Sequence, residues 1–130
     1  MYLIDSSVWI DFLNDKTSDE IDKCIALKQS GLTLLVYIEV LQGANSQDNF
    51  NLYQSYLSKQ PFYDFESAVK SYEQAAKIYF NCRKQGITIR STVDCLIAQC
   101  AIENDLILLH NDKDFSQIAK VYPVLNEQII

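Results

Sequence analysis

Apolar residues in this chain are gathered into short runs at widely separated places: Tyr2-Leu3-Ile4, Leu32 to Val36 and Leu106 to Leu109. Stretches with helical spacing lie between them. A strand that is apolar throughout needs cover on both faces, so short buried strands alternating with helices imply a parallel sheet between helical layers. Ligands of such sheets bind beyond the carboxyl ends of the strands. Asp5 and Asp112, standing just after the first and last runs, are therefore expected on one rim.

The intervening elements follow from capping and periodicity. A helix is expected from about Ser7 to Leu13, and a second from Thr17 to Gln29, opened by Thr17 or Ser18 and ended by Gly31. Leu32 to Val36 reads as a buried strand and Glu39 as part of a short helix closing near Gly43. Asp48 to Ser58 reads as helix, and Phe62 to Phe65 as an extended piece after Pro61. Ala68, Tyr72, Ala75, Tyr79 and Cys82 step by four and three, an amphipathic stripe ending at Gly86. Val93, Leu96, Ile97, Cys100 and Ala101 form another stripe, capped by Ser91. A closing helix over Asp114 to Val121 and an edge strand over Pro123 to Leu125 complete the reading.

With 130 residues, 48% of them apolar, and only 3 Gly and 2 Pro, one ordered domain over residues 1–130 is expected. No apolar stretch approaches the roughly 18–20 residues of a membrane span. The start, Met-Tyr-Leu-Ile-Asp, has no basic n-region, so a cytoplasmic location is expected. Cys24, Cys82, Cys95 and Cys100 lack zinc spacing and read as small buried hydrophobes.

Four carboxylates occupy places where water is scarce: Asp5 after Tyr-Leu-Ile, Glu39 within Tyr-Ile-Glu-Val-Leu, Asp94 within Val-Asp-Cys-Leu-Ile, and Asp112 after Leu-Leu-His-Asn. Taking carboxylates out of water is costly without a counter-charge. No Lys or Arg stands within three residues of Asp5, Glu39 or, Lys113 apart, Asp112, and Arg90 is four before Asp94. A divalent cation shared among the acids would neutralise them, and oxygen donors suit Mg²⁺ or Mn²⁺. Each acid also has a plain alternative. Asp5 can cap a helix, Ser91 and Asp94 can form a capping box, and Asp112 and Asp114 can shape a turn into a helix. Glu39 has no capping role, and its alternative is a single internal salt bridge.

The overall charge of −6 argues against a phosphate-binding partner at first sight. Of 17 acids, five (the four above and Asp114) belong to the suspected pocket, which leaves 12 acids against 11 bases elsewhere. The acidity is then local, in a pocket that a metal would neutralise.

In this order, Leu-Ile-Asp-Ser-Ser-Val-Trp-Ile-Asp at 3–11, Tyr-Ile-Glu-Val-Leu-Gln-Gly at 37–43, Ile-Arg-Ser-Thr-Val-Asp-Cys-Leu-Ile-Ala at 89–98 and Leu-Leu-His-Asn-Asp-Lys-Asp-Phe at 108–115 resemble the PIN-domain ribonucleases of the VapC toxin type. The resemblance implies a three-layer α/β/α fold with a central parallel sheet. It also implies Mg²⁺- or Mn²⁺-dependent endoribonuclease activity, a homodimer, and neutralisation by a cognate antitoxin. By motif position Asp5, Glu39, Asp94 and Asp112 match the family's acidic quartet, with Asp5, Asp94 and Asp112 as metal ligands. Asp114 matches an accessory acid, and Ser6 and Ser7 would support Asp5 or a metal's water from behind. His110 departs from the Thr or Ser frequent in the family, and reads as a packed strand-end residue rather than a general base.

Arg83, Lys84 and Arg90 flank Gly86 and form the one tight basic grouping, placed to guide an RNA backbone. Their alternative is a solvated helix C-terminus with favourable dipole placement. Two other functions use the same acids. One is a metal-dependent phosphatase, although no Asp-x-Asp pair follows the first strand. The other is a non-catalytic acidic pocket that binds a basic peptide or RNA.

Overall fold

A computed structural model describes residues 1–130. Four strands, β1 (Tyr2–Ile4), β2 (Ser30–Gly31), β3 (Ile107–His110) and β4 (Glu127–Ile129), form one parallel sheet in the order β2-β1-β3-β4. Leu3 pairs with Leu108 and Ile4 with Leu109 in the centre, all four buried. Parallel neighbours need crossovers, and the helices supply them: α1 (Ser6–Leu13), α2 (Asp19–Ala26), α3 (Leu34–Gln42), α4 (Gln47–Leu57), α5 (Ala68–Lys84), α6 (Thr92–Glu103) and α7 (Lys113–Val121). The expected α/β/α architecture is the one found.

Helix α6 is the central pillar. Cys95 through Ala101 are all buried, so its middle is covered on every side rather than along one stripe. On α5 the buried positions are Ser71, Ala75, Ile78 and Cys82. Tyr72, expected in that stripe, is instead 52% exposed and packs edge-on against Phe65.

Three expectations need correction. The apolar run from Leu32 to Val36 is not a strand. Thr33 caps a helix there, its hydroxyl accepting from the Val36 amide at 3.0 Å, and Val36 and Val40 then bury one turn apart. Local capping with i,i+4 burial overrides the β-propensity of the run.

Gly31 does not end α2. That helix stops at Ala26, and Lys28, in the left-handed region at φ 57°, turns the chain into β2. Gly31 is required for a different reason. A Cβ there would lie 2.4 Å from the Pro61 carbonyl, where residues 61–63 run parallel beside the end of β2 and the Tyr63 amide bonds Leu32 O.

The edge strand is not Pro123 to Leu125. Leu125 is buried in the core, and the pairing begins at Glu127. The ladder with β3 thus begins four residues after Pro123.

Candidate active site

The rim at the carboxyl ends of β1 and β3 gathers acids from four elements. Asp5 follows β1 directly and occupies the N-cap position of α1, yet its side chain makes no cap hydrogen bond. The capping alternative for Asp5 therefore has no support in its contacts. Its carboxyl lies above the ordinary carboxylate range, raised chiefly by burial. The Ser6 backbone amide opposes the rise, and the negative charge of Asp112 adds to it.

Asp94 sits in the first turn of α6, and Ser91 makes no side-chain cap, so the capping box does not form either. Burial and the charges of Asp112, Asp5, Glu39 and Asp114 push its carboxyl up to about 7. Each of the other suspected acids thus acts on this one. Glu39, half-buried on α3, is likewise raised, first by burial and then by Asp5, with Ser6 opposing. Its Oε1 is buried without a hydrogen-bond partner. Ser7 Oγ is also buried without one of ordinary geometry, although it lies near enough to Asp5 to lower its pKa slightly.

Asp112 does act as a cap. Its Oδ1 accepts from the Asp114 amide at 2.9 Å, at the start of α7. Carboxylate oxygens of Asp94, Asp112 and Asp114 all lie within 4.8 Å of one another. Asp5 and Glu39 join this trio through the charge couplings above.

Asp5 and Glu39, which lack a nearby Lys or Arg in sequence, gain none in space, but the other end of the cluster does. Arg90 Nε donates to Asp114 Oδ2 at 3.0 Å, its backbone N–H to the same oxygen at 3.2 Å, and Nη2 to Asp112 Oδ1 at 3.2 Å. Sequence spacing could not reveal this pairing, because 22 and 24 residues separate the partners. The basic trio consequently divides. Arg83 lies over the Tyr79 and Phe80 rings and Lys84 over Phe80 at the end of α5, whereas Arg90 joins the acids.

His110 is fully buried, as a packed strand-end residue should be. Its ring bonds Glu127 on one side and the Asp112 amide on the other.

The donor set is all oxygen, several members are buried and mutually repelling, and one buried oxygen lacks any partner. That is the chemistry a hard divalent cation satisfies. A parallel α/β/α sheet with such acids at its carboxyl rim defines the class of small acid-site α/β domains.

Comparison with known proteins narrows the class. The model of the PIN domain family matches residues 2–121, and the chain belongs to that family. It is 29% identical over 126 residues to Ribonuclease VapC11 of Mycobacterium tuberculosis and to VapC ribonuclease Mb1587 of Mycobacterium bovis, with 93% of each chain covered. In fold it is similar to DNA-bound VapBC from Salmonella typhimurium (TM-score 0.79, 16% identity, 98% of this chain and 96% of that one). It is also similar to VapBC2 from Rickettsia felis bound to a promoter DNA fragment (TM-score 0.78, 17% identity, 99% and 98%). The resemblance to VapC-type proteins, carried in the sequence by four segments, thus extends over nearly the whole chain.

Proposed function

We propose that the protein is a Mg²⁺- or Mn²⁺-dependent endoribonuclease toxin of the cytoplasm, acting as a homodimer and neutralised by a cognate antitoxin. The observation that carries this reading is the convergence of Asp5, Glu39, Asp112 and Asp114 on Asp94, whose carboxyl is pushed up to about 7 by burial first and by these charges next. So much stored repulsion supports a role for a cation at this rim. The curated relatives are named ribonucleases, and the similar solved structures are toxin–antitoxin complexes.

Asp5, Asp94 and Asp112 would hold the ion. When bound, it supplies Lewis-acid activation of a water and neutralises charge at the scissile phosphate. Glu39, its Oε1 unpartnered, accepts the proton of the attacking water. Ser6 orients Glu39, and Ser7 faces Asp5. Arg90, and more remotely Arg83 and Lys84, attract the RNA backbone. The protein hydrolyses the phosphodiester, with water attacking phosphorus and the bond to the departing oxygen breaking.

For the second copy, an apolar groove lined by Leu34, Ile38, Phe65 and Tyr72 offers exposed side chains, Leu34 and Ile38 being 60% exposed each. No helix is long and apolar enough to cross a membrane.

The decisive experiment is RNA cleavage with Mg²⁺, with chelator, and in folded Asp5→Asn and Asp94→Asn variants. Cleavage is expected with Mg²⁺, and its loss with chelator and in each variant. Cleavage that persists in both variants overturns the proposal.

A further inference from the structure

We propose that Asp114 is a positioning residue for Arg90 rather than a metal ligand, and that the pair forms a clamp for a substrate phosphate. This rests on the ribonuclease reading and assigns a role within it. Asp114 belongs to the tightest acid trio by distance, which alone would make it a ligand. Its bonds set it apart from Asp112, whose Oδ1 also accepts two N–H groups but from two different residues. The Asp114 side chain is 6% exposed, and its Oδ2 already accepts two N–H groups, both from Arg90. Asp114 thereby grips the backbone and the side chain of one residue at once.

The consequence lies in which protons of Arg90 remain. A guanidinium carries five N–H donors in a rigid plane. The Nε–Nη2 edge is spent on Asp114 and Asp112. Both protons of Nη1 and the second of Nη2 are left, on a side chain that is 64% exposed beside the acids. An outward fork of that kind matches two oxygens of a phosphodiester. Fixing it beforehand removes rotamer entropy that a free arginine would lose on binding. Arg83 and Lys84 lack any such anchor; they rest on aromatic rings of their own helix.

The test uses the full chain and the variants Asp114→Asn, Arg90→Lys and Arg90→Ala, with a fluorescent single-stranded RNA oligonucleotide as probe. In chelator, Asp114→Asn and Arg90→Ala are expected to weaken RNA binding about tenfold. The salt slope should become shallower by about 0.7, one phosphate contact on a single strand. Removing a negative charge would by itself strengthen RNA binding, so weakening by Asp114→Asn reports lost positioning. Arg90→Lys keeps the charge without the fork and is expected to match the affinity loss of Arg90→Ala. It serves if Asp114→Asn does not fold. The double variant should be no weaker than either single one, because the two residues act as a unit. Under cleavage conditions the loss should fall on KM more than on kcat.

Calorimetric Mn²⁺ titration supplies the second readout. Asp114→Asn should lose no more than the roughly 10–100-fold of an outer-shell partner, while Asp94→Asn abolishes binding. Mn²⁺ binding lost equally in both variants, an unchanged salt slope, or RNA affinity preserved in Arg90→Lys overturns the proposal. Absence of RNA cleavage by the wild type would instead defeat the ribonuclease reading, and the binding and Mn²⁺ arms would still decide the role of Asp114.

Discussion

The amide of Asp112 donates to Nδ1 of His110 at 3.1 Å, so the ring proton sits on Nε2 and points at Glu127. One buried imidazole therefore ties the acid-bearing turn after β3 to the edge strand β4. His110→Ala would leave the Asp112 amide unpaired and Glu127 with Ser116 alone, beside an empty ring-sized space against Phe115. A loss of about 2–4 kcal/mol in urea unfolding is expected. Mn²⁺ affinity should fall as well, since Asp112 loses a restraint.

Metal-free protein should be most stable in mild acid. The Asp94 carboxyl is raised from 3.8 to about 7. Between those values the folded protein keeps a proton that the unfolded chain has released. This contribution is complete below 3.8 and disappears as pH rises through about 7. Asp5 and Glu39, raised in the same direction, act alike. Thermal melts in chelator should therefore fall from pH 5.5 to pH 8. Added Mg²⁺ should restore most of the loss at the higher pH.

Asp94→Asn should separate stability from function. Above pH 7 in chelator it removes one member of a repelling group, and a gain on the order of 1 kcal/mol is expected after allowance for solvent screening. The same variant should lose RNA cleavage. A melt showing Asp94→Asn less stable than the wild type at pH 8 would contradict the repulsion described here.

Gly31→Ala tests the close approach of residues 61–63 to β2. The new methyl would meet the Pro61 carbonyl at 2.4 Å and the Tyr63 ring at 2.7 Å. A backbone oxygen cannot turn aside as a side chain can. Destabilisation of about 1–3 kcal/mol is expected by denaturant titration. Gly86→Ala offers a contrast. It meets no atom within 4 Å, and its cost comes from the left-handed φ of 78°.

Legibility in the sequence divided along physical lines. Tyr2-Leu3-Ile4 and the run to Leu109 announced strands because continuous apolarity reports burial on two faces. The acids following them announced a rim for the same reason, and Ser18 and Gly43 marked helix ends through local backbone chemistry. Leu32 to Val36 misled, because Leu and Val serve equally on a helix with one buried face once Thr33 caps it. Composition and local pattern thus determined the class of fold and nominated the acids. Tertiary structure alone decided which oxygens approach, that Arg90 is held by Asp114 and Asp112, and that His110 reaches Glu127. Those contacts join residues distant in the chain, and long-range Coulomb and hydrogen-bond partners leave no periodic trace in a sequence.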